Sequence, residues 1–342
     1  MLKNLMKTVE SPLKSLANFF TNKNLWVETD LEPDDVLAID ILQRKGYTMH
    51  TIVCGEGKEK VNRCLAYYDK TVPNIVKGHD SNKDFPEPAK YKNYVSSLTY
   101  STNYKEQLKS YLESNTKLVI MKPPRELFEM FLADRESTKQ LLKNVTCYMY
   151  GSFNIRSLKA DKKDVLEFLN SFGNLYYYES YRASGSCNSV SSDTYANFSK
   201  LKACDNFYEI MDAWDDYILK DCIDTCNSIT GKSGETLKTL DEYVNDGDLS
   251  KEFVDGLSQD VKGQYDRNYK CYVSVVKNKG QQFVLADVGL ALCIDKAVWD
   301  RVSLDFNDAG YTVYTENPTG NTCSVNGIGI DTLKLYLDEL YE

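Results

Sequence analysis

Five carboxylates crowd into the eight residues from Glu28 to Asp35: Glu28, Asp30, Glu32, Asp34 and Asp35, within the segment WVETDLEPDDVLAIDI. Leu25-Trp26-Val27 reads as the end of a buried strand, and Val36, Leu37, Ile39, Ile41 and Leu42 form an apolar helical face. Pro33 suits a first helical turn, where acidic side chains meet the positive end of the helix dipole. The acids therefore fall where a strand hands over to a helix, the place where open parallel α/β sheets build their sites. Like charges at this density repel. A hard divalent cation with oxygen ligands would relieve them. The plainer alternative is that they are ordinary first-turn acids on a solvated helix start.

A second stretch has chemistry in it. In QFVLADVGLALCIDKAVW, Asp287 is the only charge between Phe283 and Ile294. Burying a lone carboxylate is costly unless it is paired or binds a metal, and a helix N-cap is the competing reading. His50 and His79 are the only histidines, which excludes a site built on three of them. His79 opens a polar, aromatic stretch, 78–103, that reads as a long loop of the kind that covers ligands. A surface histidine and a residue closing over a ligand both remain open for it. Cys187, in the Ser-rich segment Arg182–Ser192, is set aside as a nucleophile because so few histidines are available to pair with it.

The elements that would position these groups alternate strand and helix. The acidic turn leads into a helix to about Lys45. Strands are read at Tyr47–Cys54, Val72–Val76, Lys117–Met121, Val145–Tyr150 and Asn174–Tyr181. Helices are read at Lys58–Lys70, Tyr104–Leu112, from Pro123-Pro124, and at Asp161–Phe172. Such alternation gives a parallel sheet with helical crossovers. The tyrosines of Asn174–Tyr181 read as aromatic core or interface, with a stacking wall for a flat ligand as the alternative. Residues 195–265 read as mainly helical, with breaks near 231–234 and 247. Tyr272–Val276 reads as a strand, Arg301–Tyr314 as a β-hairpin, and Asp331–Tyr341 as a closing helix. The expected architecture is α/β: a single large domain, residues 24–342, with a mostly parallel central sheet, flanking helices and a C-terminal β-hairpin. An N-terminal helical extension, residues 1–23, precedes it.

Composition bounds the function. The 342 residues are 42% hydrophobic and carry a net charge of −9 with no long basic run. Nucleic acid and anionic membranes are poor partners for such a surface. No apolar run is long enough to span a bilayer. The ten cysteines form no CxxC pair and no zinc spacing, so reduced thiols and a cytoplasmic location are expected.

Taken together, these stretches resemble the calcium-dependent inosine–uridine nucleoside hydrolase family. Its D-x-D-x-x-x-D-D signature is matched by E-T-D-L-E-P-D-D at Glu28–Asp35, with Glu28 in the first place. Its C-terminal H-D-P-L segment is similar to Ala286-Asp287-Val288-Gly289. KLVIM running into Met121-Lys122-Pro123 resembles its T-G-P turn, VTCYMYG its I-V-x-M-G-G strand, and Ser152-Phe153-Asn154 its E-F-N. The resemblance covers the chain from about residue 24.

The resemblance implies that Asp30, Asp35, Asp287 and the main-chain carbonyl of Met121 hold one Ca2+. It implies that Asp30 is also the catalytic group, accepting a proton from the attacking water. Asp34, Glu56, Asn154, Ser152, Met149 and His79 would contact the substrate, with Asp34 on the ribose 2′-hydroxyl and Asn154 on another hydroxyl. The activity implied is hydrolysis of an N-ribosidic bond through an oxocarbenium-like transition state. The substrate would be a small nucleoside or nucleotide, and a homodimer or homotetramer is the assembly. Two departures bear on the substrate: Ala286 replaces the family's histidine, and Ser152 replaces its glutamate at the ribose 5′-hydroxyl. They point to a 5′-substituted ribose, or to a leaving group that needs no acid. A protein that keeps the fold and calcium but only binds ribosyl or nucleotide ligands is the second reading. A haloacid-dehalogenase-like phosphohydrolase ranks third, because its nucleophilic aspartate would have to stand at Glu28.

Overall fold

The computed structural model describes residues 23–30, 33–54, 74–79, 101–151, 153–179, 189–190, 207–277, 283–284, 286–307 and 312–325, with a few positions in 332–340. In chain order the elements begin β1 (Asn24–Thr29), α1 (Pro33–Arg44), β2 (Thr48–Cys54) and β3 (Asn74–Lys77). Then come α2 (Tyr104–Leu112), β4 (Lys117–Ile120), α3 (Arg125–Ala133), α4 (Arg135–Leu142) and β5 (Thr146–Tyr150). They continue with α5 (Phe153–Arg156), α6 (Lys162–Leu169), β6 (Asn174–Tyr178) and β7 (Ser189–Val190). A helical run follows: α7 (Phe207–Thr230), α8 (Leu240–Asn245), α9 (Lys251–Gly256) and α10 (Gln259–Lys277). The last elements are β8 (Phe283–Val284), α11 (Ala286–Cys293), β9 (Trp299–Phe306), β10 (Thr312–Glu316) and β11 (Thr322–Val325).

Nine strands form one sheet in the order β10-β9-β11-β6-β5-β4-β1-β2-β3. From β11 to β3 every pairing is parallel, while β9 runs antiparallel to both β10 and β11. This is the mostly parallel α/β sheet with a C-terminal hairpin that the alternation implied. The chain builds outward from β1 through β2 to β3, then returns to β1's other side and builds through β4 and β5 to β6. The order therefore reverses between β1 and β4. A crevice opens at the carboxyl ends of the two strands that flank such a reversal.

The strands are buried because they read apolar on both faces, as parallel strands must. One face carries Trp26, Leu118, Ile120, Cys147, Met149 and Tyr177. It packs with Leu108 of α2, Leu127 and Phe131 of α3, Leu142 of α4 and Phe168 of α6 into one core. Phe128, Phe131, Phe168 and Phe172 make a chain of ring contacts there. Helix α1 rests on β2 and packs against α11, which also reaches β5.

The chain divides into two compact units. The first spans Met1–Lys83, Asn93–Asn188 and Leu285–Glu342 and holds the nine-stranded sheet. The second spans Asp84–Lys92 and Ser189–Val284, with a small core of Cys226, Leu237, Tyr243 and Tyr265. Its breaks fall at Gly231 (φ 67°) and Gly247 (φ 74°), left-handed positions that glycine accepts without strain.

Two expectations change. Tyr272–Val276 is not a strand but the last part of α10, where the ring of Tyr272 stacks on Tyr269 one turn back. Its β-branched residues fit a helix because they continue an existing one, so tertiary context overrides a weak propensity. Helix α4 was not foreseen. Asp134 caps it by accepting from the Ser137 N–H at 3.1 Å, and this one residue separates it from α3. The N-terminal extension and the helix read at Lys58–Lys70 lie outside the described residues, as does most of the loop 78–103.

Candidate metal and sugar site

Asp34 and Asp35 occupy the first turn of α1, and Asp287 the first turn of α11. All three are buried, and one carboxylate oxygen from each lies within 4.8 Å of the others. Asp30 stands in the turn after β1, half-buried. It shares a hydrogen bond with Asp35 and adds its charge to both Asp34 and Asp35. Two helix N-termini and the carboxyl end of β1 thus converge on four carboxylates. Dipoles that favour anions offset part of their repulsion.

The environment leaves a positive charge wanting. Burial pushes the Asp34 carboxyl up to about 7, and the Asp30 charge adds to the rise. Backbone N–H groups, that of Asp287 foremost, act in the opposite sense. The Asp287 N–H donates to Asp34 Oδ2 at 3.4 Å, a long bond. Burial also raises the Asp35 carboxyl well above its ordinary value, followed by the charges of Asp287, Asp30 and Asp34. Among the described residues, buried Asp34 Oδ1 has no hydrogen-bond donor. Fully ionised, such a cluster is self-repelling.

The residues named from sequence fall as follows. Asp30, Asp34, Asp35 and Asp287 are brought together. Met121, just past β4, has its N–H bonded to the Glu28 carbonyl at 2.8 Å. This ties it across the strand reversal. Its own carbonyl accepts from Asn154 Nδ2 at 2.9 Å. Asn154 is buried in α5 after β5, so the two residues assigned to sugar and metal touch each other. Met149 is fully buried in the core beneath. His79 follows β3, with Nε2 2.9 Å from Glu129 and its N–H bonded to Glu126. It lines a cavity of about 500 Å³ together with Tyr104, Lys105, Glu126 and Glu129. Glu56 and Ser152 lie outside the described residues. Of the tyrosines read as core, Tyr177 and Tyr178 are buried and Tyr176 stacks on Tyr148.

Glu28, read from sequence as one of the five crowded acids, does not join the cluster, and its side chain is held in the aromatic core. Trp26 Nε1 and Tyr104 Oη donate to its Oε1 at 3.0 and 2.5 Å. Burial raises its carboxyl, and the nearby Lys122 ammonium offsets part of that. Lys122 is itself buried and pairs with Glu126 at 2.7 Å. The i,i+4 spacing of Lys122 and Glu126 was a visible signal for that pair. Lys45, at the end of α1, donates to the carbonyls of Ala291 (2.9 Å), Leu292 (2.8 Å) and Ile294 at the far end of α11. It clamps together the two helices whose other ends carry Asp34, Asp35 and Asp287. Gly289 lets α11 lie close to β6: a Cβ there would sit 2.0 Å from Tyr178 Oη.

No protein-family model matches the chain. No curated protein matches it. Among solved structures, the chain is similar to the type III effector protein XopQ complexed with adenosine diphosphate ribose, at 10% sequence identity and a TM-score of 0.49, over 93% of each chain.

Proposed function

We propose that the chain hydrolyses an N-ribosidic bond in a nucleoside or nucleotide-like substrate, with calcium held at the aspartate cluster. One observation carries this reading: four carboxylates, three of them buried, converge where the parallel sheet reverses its order. The donor set fits a hard cation. It is all oxygen, it carries excess negative charge, and it includes a buried oxygen without a donor, Asp34 Oδ1. Asp30, Asp35, Asp287 and the Met121 carbonyl would hold the ion, and Asp34 stands close enough to share in it. When bound, calcium would make a water more acidic and anchor sugar hydroxyls.

The chain's own residues supply the rest. Asp30, the least buried of the four, is placed to take the proton of the attacking water. Clustered carboxylates stabilise the positive charge that develops on the sugar ring. Asp34 would accept from the ribose 2′-hydroxyl. Asn154, its amide fixed on the Met121 carbonyl, would hold a second hydroxyl through its remaining groups. Nothing at Ala286 can protonate a leaving base, so the leaving group is one that departs without an acid, and Ser152, in place of the resembled family's glutamate, would accept a 5′-substituted ribose.

The second reading is a ribosyl-binding protein without turnover. Ala286 and Ser152, which stand where the resembled family has a histidine and a glutamate, favour it, while the retained Asp30, Asp34, Asp35 and Asp287 oppose it. Ribose release from inosine, uridine, their 5′-monophosphates, nicotinamide mononucleotide and ADP-ribose separates the two. Calcium-dependent release that Asp30→Asn abolishes supports hydrolysis. Saturable binding without release from any of them supports the second reading.

A further inference from the structure

The cavity of about 500 Å³ beside His79 holds charge that the aspartate cluster does not use. It lies at the carboxyl end of β3, within the first compact unit. Ser101 bridges to Val76, and the Lys77 N–H donates to the Ser101 carbonyl at 2.8 Å. That edge pairing sets Thr102, Tyr104 and Lys105 on the same wall as Lys77 and Gly78. The two acids among the lining residues are already matched. Glu126 pairs with Lys122 at 2.7 Å and accepts the His79 N–H, and Glu129 lies 2.9 Å from His79 Nε2. Among the described residues, the ammoniums of Lys77 and Lys105 have no carboxylate partner. Helix α2 begins on this wall, and its cap residue Asn103 makes no side-chain bond to the first turn. The first-turn N–H groups add positive potential, which the Glu106 carboxylate partly opposes. We propose that the cavity is an anion subsite, where Lys77 and Lys105 hold a carboxylate or phosphate carried by the ligand whose ribose meets the aspartates. The subsite rests on the ribosyl reading of that cluster.

The two places are within reach of one ligand. Glu28 of β1 pairs with Val53 of β2, and Val53 with Val76 of β3. The ends of β1 and β3 are therefore two strand spacings apart, roughly 10 Å. They also share a wall. Tyr104 lines the cavity and donates to Glu28 Oε1 at 2.5 Å, while the Glu28 carbonyl accepts the Met121 N–H at 2.8 Å. Gly78 lies so close over the Lys122–Glu126 pair that a Cβ there would sit 2.2 Å from Glu126 Oε1. The paired charges thus form the floor, and the two unmatched ammoniums are left for a ligand. Each is a compact cation with three donors, suited to a carboxylate or a phosphate. A carboxylate on the leaving heterocycle would fit the lack of an acid at Ala286, because nearby ammoniums stabilise the charge that collects on the departing group.

The test compares nicotinamide riboside with nicotinic acid riboside, which has a carboxylate in place of the amide, and with nicotinamide mononucleotide, which adds a phosphate. Affinity is read on the full-length protein in calcium, as a dissociation constant or as KM where the ligand turns over. At least one of the two anionic ligands should bind about tenfold tighter than the parent riboside, the size of one charge-assisted hydrogen bond. The double variant Lys77→Met/Lys105→Met should bring that ratio toward one, and Lys77→Arg/Lys105→Arg, which keeps the charge, should preserve it. Preference for nicotinic acid riboside places the anion on the leaving group, and preference for the mononucleotide places it on the phosphate. The subsite is overturned, with the ribosyl reading intact, if all three bind alike or if the ratio survives Lys77→Met/Lys105→Met. If none of the three binds, the ribosyl reading fails, and phosphorus NMR of inorganic phosphate in chelator decides the cavity. Line broadening with wild type and Asp35→Asn that the methionine double variant loses keeps the anion subsite. Equal broadening in all three proteins, or none, overturns it.

Discussion

Asp34 shows how a single side chain turns burial into pH dependence. Its carboxyl is ordinary in the unfolded chain and pushed to about 7 in the fold by burial. The folded state therefore keeps a proton that the unfolded chain has released. In the absence of a divalent cation, stability should be greatest in acid and should fall as pH climbs from about 4 toward about 7. Asp35, raised by burial and by three neighbouring acids, adds to the same slope. Thermal melts in chelator between those limits should show it, and Asp34→Asn should flatten it. A midpoint that rises with pH across this window would contradict the assignment. At Gly289 the argument is steric. An added Cβ meets Tyr178 Oη at 2.0 Å, so Gly289→Ala should cost about 1–3 kcal/mol, the usual penalty for overpacking. It should also weaken calcium binding, because the clash falls two residues from Asp287. Denaturant unfolding and a calcium titration on the same variant would check both.

At the scale of elements, α1 and α11 act as one device. Their N-terminal turns carry the acids, and Lys45 ties the C-terminal end of α1 to the last carbonyls of α11. Lys45→Met keeps most of the buried stem but removes the donors. Stranding buried carbonyls costs about 1–3 kcal/mol, so stability should fall by roughly that amount. Calcium affinity should fall further than in an equally destabilised core variant elsewhere, such as Phe168→Leu, because Lys45 bonds the end of one ligand-bearing helix to the end of the other. Equal calcium affinity in the two variants would show that the helices are held by other contacts. The strand-to-helix turn at Glu28–Asp35 was legible because its acids, proline and apolar periodicity agree. The partnership of α1 with α11 was not, since 241 residues lie between the last residue of one and the first of the other.

For the whole molecule, the cation should appear as stability. A ligand at about 100 times its dissociation constant adds roughly 2.7 kcal/mol, a shift of about a few degrees in a chain of this size. Calcium should raise the melting temperature of wild type, and Asp35→Asn should lose the effect. No shift with calcium, together with no metal in the purified protein, would leave the acids a structural cluster. Among the described residues no helix is long and apolar enough to cross a membrane.

The amino-acid sequence by itself determined the alternation that makes a parallel α/β sheet, the hairpin near its end, and the two stretches that carry the aspartates. These are local properties: periodicity, helix-start chemistry, and a lone charge in an apolar run. It missed helix α4 and misread the end of α10 because short segments take their form from what they pack on. Tertiary structure alone decided that the sheet reverses beside β1, that Asp287 meets Asp34 and Asp35, and that Glu28 turns into the core toward Trp26 and Tyr104. It also decided that Asn154 binds the Met121 carbonyl. Each is a contact between residues distant in sequence, fixed by which elements lie side by side, and spacing along a chain holds no record of that.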